Sequence, residues 1–237
     1  MSDQLSLHFA HPAASDRESF LPAPCNRDAL AWLDRWPDWP ACTLVLYGPS
    51  GCGKTHLASI WVARAGASRL DRPPPIGARP AAVRAFVLDD IDQVVRTPED
   101  EIALLQFYNW VVERRGHMLL TARQPVAGWE LRLPDLISRL RAAPAIAIGA
   151  PDDALLGALL VKLFDDRQLG VPEDVIRYML AHMERSFAAA RALVAALDER
   201  SLEQHRAITI PLARAVLEQP DEGPAPIRSP HTTWGGT

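Results

Sequence analysis

Lysine is almost missing from these 237 residues: Lys54 and Lys162 are the only two, and the remaining basic residues are arginines. No run of basic residues marks a nucleic-acid face, and the formal net charge is −4. Tight, direct DNA binding by this chain is therefore not expected. Cysteine is scarce too. Cys25, Cys42 and Cys52 are an odd number at unrelated spacings, which excludes a disulfide framework and a zinc pattern and suits a reducing cytoplasm. No apolar stretch approaches bilayer length, so no membrane association is expected. The first residues lack the basic, apolar, small-residue order of a secretion signal. There is no internal repeat. What is plentiful is apolar residues, 48% of the chain, enough to core one α/β domain and a smaller second one.

The densest chemical signal is Gly48-Pro49-Ser50-Gly51-Cys52-Gly53-Lys54-Thr55, a full match to the phosphate-loop pattern G-x-x-x-x-G-K-[ST]. The apolar run Thr43–Tyr47 precedes it and the helix-compatible stretch His56–Ala63 follows, the strand–loop–helix context the motif requires. Glycines let successive N–H groups turn toward phosphate oxygens, and the helix start adds partial positive charge. Lys54 is expected on the β/γ-phosphates and the Thr55 hydroxyl on Mg²⁺.

Further along, Ala85-Phe86-Val87-Leu88 reads as a buried parallel strand running into Asp89 and Asp90. With a phosphate loop upstream, Asp89 is expected to hold Mg²⁺ and Asp90 to orient or deprotonate an attacking water. An acidic strand-to-loop turn is the alternative. Thr121 closes the next strand, His117–Thr121, where a polar group can sense the γ-phosphate or place water; Arg123 is a weaker candidate for the same task. Between these strands Thr97-Pro98-Glu99-Asp100-Glu101 predicts a helix start, with Ile102, Leu105, Tyr108 and Val112 at helical spacing and a stop at Gly116. Arg139, within Leu133-Pro134-Asp135-Leu136-Ile137-Ser138-Arg139-Leu140, is an arginine-finger candidate or a surface partner of Asp135.

The order along the chain is thus an extended arm (1–24), an α/β nucleotide-binding unit (25–150), a helical unit (151–219) and a tail (220–237). Helix precedes the first strand from Asn26, a short strand is expected at 68–70, and a last one at 145–148. Prolines at 73–75 exclude helix there. Four helical stretches, near 152–168, 172–184, 187–204 and 211–218, make up the second unit. The tail is rich in Pro and Gly and is expected to be disordered.

This sequence of motifs resembles the AAA+ ATPases and, within them, the DnaA-related family. It is most similar to the Hda-type regulatory inactivators of DnaA, which lack its DNA-binding domain. Three features carry that choice. Gln4-Leu5-Ser6-Leu7-His8-Phe9 resembles the peptide by which Hda-type proteins dock on the β sliding clamp of DNA polymerase III. Leu133–Leu140 is similar to the Hda finger segment. The chain also stops after its helical stretches, where DnaA continues into a helix-turn-helix domain.

The resemblance implies an α/β, three-layer parallel AAA+ sheet with a C-terminal all-α lid, ATP or ADP with Mg²⁺ as cofactors, and DnaA and the clamp as partners. It implies DNA contact only through the clamp, a cytoplasmic, nucleoid- or replisome-associated protein, and negative control of replication initiation. Arg139 would stimulate hydrolysis of initiator-bound ATP, and whether this chain is itself an efficient enzyme is open, as is a homodimer. A helicase loader or a nucleotide-gated adaptor is the alternative. One departure stands out: the family's sensor 2 arginine, at the start of the third lid helix, falls on Ala188, with Arg185 and Arg191 out of register. The stretch between Leu70 and Ala85 is also shorter than the family's, and nothing in the sequence explains it.

Overall fold

The computed structural model describes residues 21–75, 77, 83–204 and 206–218. The expected arm peptide Gln4–Phe9, most of the 71–84 segment's proline-flanked centre and the tail from 219 lie outside the described residues.

Five short apolar segments form the sheet: β1 (Thr43–Tyr47), β2 (Ser68–Leu70), β3 (Ala85–Leu88), β4 (His117–Ala122) and β5 (Ala145–Ala147). They pair in parallel in the order β2-β3-β4-β1-β5. The three central strands are apolar on both faces because both faces are covered, as parallel sheets require. Alternation sorts them cleanly. Val45, Phe86, Leu88, Met118 and Leu120 pack on one side beneath α4 (Pro98–Glu113) and α5 (Pro134–Ala142). Leu44, Leu46, Val87 and Leu119 pack on the other beneath α1 (Arg27–Asp34) and α2 (Lys54–Ala65). A short helix, α3 (Ile91–Val94), follows β3. The three-layer parallel architecture is the one expected.

Local chemistry sets the helix ends. Thr97 and Asp100 form a capping box ahead of α4: the Thr97 hydroxyl accepts from the Asp100 N–H and the Asp100 carboxylate accepts from the Thr97 N–H, with Pro98 in the first turn. The face of α4 differs from the expected one. Ile102 and Val112 are exposed, and the buried stripe runs through Leu104, Phe107, Tyr108, Trp110 and Val111. The helix is apolar over much of its circumference, so periodicity alone allowed more than one stripe. The expected 145–148 strand ends one residue early, and Asp89 and Asp90 lie in the turn after β3 rather than in it.

Beyond Pro151 come α6 (Asp153–Asp165), α7 (Glu173–His182), α8 (Phe187–Gln204) and α9 (Ile210–Leu217), the helical lid. Leu156, Leu160, Phe164, Met179, Val194 and Leu197 fill its own core. Residues 21–25 belong with it. Ala23 is buried in that core with Leu21 and Cys25 alongside, so the described end of the expected arm is packed rather than free. The Asn26 side chain fixes this corner by accepting from the Ala23 N–H at 2.8 Å and donating to the Leu21 carbonyl at 3.1 Å. Among the described residues no helix is long and apolar enough to cross a membrane.

Candidate functional site

The C-terminal ends of β1, β3 and β4 converge on one edge of the sheet, where open parallel sheets bind ligands. The phosphate loop leaves β1 there. Gly51 and Gly53 have φ of 72° and 100°, a left-handed backbone that other L-residues rarely adopt. Gly48 lies so close to the Ile148 carbonyl that any side chain would collide with it. Lys54 is buried (5% exposed), and its Nζ donates to the carbonyls of Gly48 at 2.8 Å and Pro49 at 2.9 Å. An ammonium has three donors, so two hold the loop in shape and one remains for a phosphate oxygen.

The 12-residue helix α2 begins behind Gly53 with no side chain capping it, which leaves its first N–H groups directed at the loop. Thr55 is exposed at that helix start. The glycine cradle, the uncapped helix and the aimed lysine fit a nucleotide's phosphates, with Thr55 and Asp89 the groups that would hold Mg²⁺. Ser50 and Pro49 complete the loop. Cys52 is buried against Gly48, and burial raises its thiol pKa above the ordinary value, as an inert packing group requires.

Strand register explains the acidic half of the site. Leu88 pairs with Leu120, so Asp89 and Thr121 come opposite each other one step later. Thr121 is fully buried; its hydroxyl donates to Asp89 Oδ1 at 2.9 Å and accepts from the Asp90 N–H at 2.8 Å. The hydroxyl's one proton and one of its two lone pairs therefore hold the acidic turn. Asp90 itself sits at φ 45°, ψ 44°, a left-handed conformation that Asp tolerates better than most residues. The other Asp89 oxygen is taken by Arg69 of β2, which sequence reasoning passed over. Arg69 also donates to Ser59 Oγ of α2 at 2.9 Å, and burial lowers its pKa. The Arg123 N–H donates to Asp92 at 3.1 Å, tying the end of β4 to α3.

Arg139 is not part of this constellation. Its Nε donates to Asp135 Oδ1 at 3.1 Å, and its guanidinium stands 5.5 Å from the Tyr108 ring centre. Burial and a hydrogen bond with Cys42 push the Tyr108 hydroxyl up to about 12. Cys42 precedes β1 and the phosphate loop follows it, so Arg139 lies at the far end of that strand, roughly 17 Å of extended chain from the loop. The observed partner is Asp135, the surface pairing that the sequence offered as the alternative to a finger. A residue missed in the sequence positions its helix: Glu101 of α4 is buried, and its carboxylate accepts from the N–H groups of Arg132 (2.9 Å) and Leu133 (2.7 Å) at the entrance to α5. One residue beyond the capping box, Glu101 reads in the sequence as one more first-turn acid.

The lid closes the other side. The Phe187 N–H donates to the Gly51 carbonyl at 2.9 Å, and the Phe187 ring lies against Gly53. Ser186 and the Ala188 methyl face Gly51. The place expected for sensor 2 is therefore beside the loop and holds an alanine. Arg185 is turned away, paired with Asp153 at 2.9 and 3.0 Å. Arg191, one turn beyond Ala188, is exposed near His56, whose pKa is lowered by burial and then by the charges of Arg191 and Lys162.

Fold and loop together define a phosphate-loop protein of the AAA+ class with a C-terminal helical lid. Residues 153–217 match the family described as Hda, lid domain. Across 84% of this chain and 94% of the other, the fold matches domain III of the Thermotoga maritima replication initiation protein DnaA, with a TM-score of 0.71 and 16% identity. AMPPCP-bound DnaA from Aquifex aeolicus matches over 78% of this chain at 15% identity and TM-score 0.65; the chain spans 65% of that protein. A Thermotoga maritima RuvB structure matches 86% of this chain and 71% of its own at 12% identity and TM-score 0.65. Over its lid residues the chain is similar to the Hda family, and its fold is that of DnaA domain III.

Proposed function

We propose that this protein is an Hda-type negative regulator of replication initiation, which binds adenine nucleotide and lends an arginine to the ATP site of DnaA. Gly48–Thr55 holds the nucleotide, with Lys54 on its phosphates. Thr55 and Asp89 are the residues that would hold a Mg²⁺ accompanying the nucleotide, whose charge would add to that of Lys54 on the phosphates. Thr121 fixes Asp89 and the Asp90 backbone, and Asp90 is the group left to act on water. Gln4–Phe9 docks the protein on the sliding clamp: an extended segment lays Leu5, Leu7 and Phe9 into an apolar groove while Gln4 makes a polar contact. The assembly is cytoplasmic and meets DNA through the clamp.

The observation that carries this reading is the placement of Arg139. It is partly exposed, and its recorded partners are Asp135 and the Tyr108 ring, not a residue of its own phosphate loop. Such an exposed guanidinium is accessible to a neighbouring molecule, where it would neutralise transition-state charge. The test mixes ATP-bound initiator with clamp loaded on DNA and compares the wild type with Arg139→Ala. A finger is worth roughly 10³–10⁵ in rate, so the variant should lose nearly all stimulation; equal hydrolysis rates overturn the assignment. Deleting residues 1–10 should abolish clamp pull-down, and retained binding removes the tethering role.

Ala188 beside Gly51 favours a second, compatible description of the chain's own site. With a methyl group where an arginine would touch the phosphates, the nucleotide acts as a conformational hold and intrinsic turnover is low. Single-turnover hydrolysis by the isolated protein, with and without Asp90→Asn, measures this directly.

A further inference from the structure

Arg69 is placed by the pleat. It pairs with Val87, and Val87 and Asp89 point to the same face of the sheet, the face that α2 covers. One guanidinium nitrogen therefore meets Asp89 Oδ2 and the other meets Ser59 Oγ at 2.9 Å. Ser59 is one helical turn beyond Thr55 and donates to the Thr55 carbonyl at 2.9 Å. The result is a fixed positive charge on Asp89, one of the two residues expected to hold the divalent cation, anchored to the first turns of α2 through Ser59 and the Thr55 carbonyl. With Thr121 on the other oxygen, both oxygens of Asp89 are engaged by donors of the protein itself.

We infer that Arg69 is a positioning residue that stands in for much of the divalent cation's charge at Asp89 and makes nucleotide binding by this chain nearly independent of Mg²⁺. The physical reason is competition. Asp89 cannot give its full charge to both Arg69 and a metal ion, and a guanidinium repels a divalent cation bound next to it. Phosphate charge is then met by Lys54, the α2 N–H groups and whatever weakly held metal accompanies the nucleotide.

The inference rests on the nucleotide reading of Gly48–Thr55, and its test separates the two. Fluorescent ADP is titrated into the full chain with excess EDTA or with saturating Mg²⁺, for the wild type, Arg69→Met and Arg69→Gln. The wild-type affinity should change by less than about threefold between the two conditions. Removing the charge frees Asp89 for the metal, so both variants should bind at least ~10-fold more tightly with Mg²⁺ than without. Mn²⁺ substituted for Mg²⁺ should show a matching gain in nucleotide-dependent metal binding by electron paramagnetic resonance, a readout that loss of packing would not produce.

Arg69→Gln keeps a hydrogen bond to Asp89 and serves if Arg69→Met fails to fold. A wild-type affinity that already depends strongly on Mg²⁺, or variants with the wild-type dependence, overturns the role of Arg69 alone. No nucleotide binding by any of the three proteins in either condition overturns the nucleotide reading and this inference with it.

Discussion

Glu101 shows how much a single buried carboxylate can organise. It sits on α4, yet its partners are the backbone N–H groups of Arg132 and Leu133, 31 and 32 residues away, where the chain turns into the helix that carries Arg139. Truncation would strand two donors in a partly buried corner. Glu101→Ala should therefore cost about 1–3 kcal/mol, read as a fall in the denaturation midpoint. It should also weaken stimulation of initiator hydrolysis, because α5 loses its anchor. Glu101→Gln keeps one acceptor and should fall between. An unchanged midpoint would show that the contact is not structural. The placement of the phosphate loop, the Asp89–Asp90 pair and Thr121 at one edge of the sheet was legible because local spacing sets each at a strand's end, whereas the hold of Thr121 on Asp89 was not. Glu101 and Arg69 were not, since each acts across a tertiary contact that no local spacing encodes.

At the level of elements, helix signals with a chemical mechanism read well. The Thr97-Pro98 start of α4 is where the residues said it would be. Burial on apolar helices read poorly, as α4 shows. The opening of β4 illustrates what tertiary packing adds. His117 stands edge-on to Trp36 at 6.0 Å and to Trp39 at 5.8 Å, while Trp39 stacks on Trp61 of α2 at 5.3 Å. Burial lowers the His117 pKa, and a hydrogen bond with the Pro37 backbone pulls weakly the other way.

A histidine whose folded pKa lies below its unfolded value of about 6.5 binds fewer protons folded than unfolded as the pH falls. Stability is then fully present above about pH 6.5 and declines as the pH drops toward and through the folded pKa. His56 adds a change of the same sign. Urea midpoints should fall between pH 7.5 and pH 5.5, and His117→Phe should lose less over that interval than the wild type. Parallel losses in the two proteins would mean that His117 is not the group responsible.

Across the whole molecule, the lid and the α/β layers meet at the nucleotide loop itself. A backbone hydrogen bond joins Phe187 to Gly51, the Phe187 ring covers Gly53, and Ser186 and Ala188 face the loop. The loop cannot change shape without disturbing the first turn of α8, and the lid cannot swing without releasing Gly51. This coupling uses backbone and an aromatic ring, so it does not require an arginine at 188. A side chain at Gly51 would come within 2.6 Å of the Ser186 Cβ and would also strain a backbone held at φ 72°. Gly51→Ala should therefore loosen the lid while leaving its own core, built on Leu156, Leu160 and Leu197, intact. Phe187→Ala should loosen the same seam from the lid side. Hydrogen exchange decides it: in both variants the backbone amide at position 187 should exchange faster, while amides in the middle of α6 keep wild-type protection. Uniform loss of protection would mean general destabilisation, and an unchanged amide at position 187 would mean that the lid is held elsewhere.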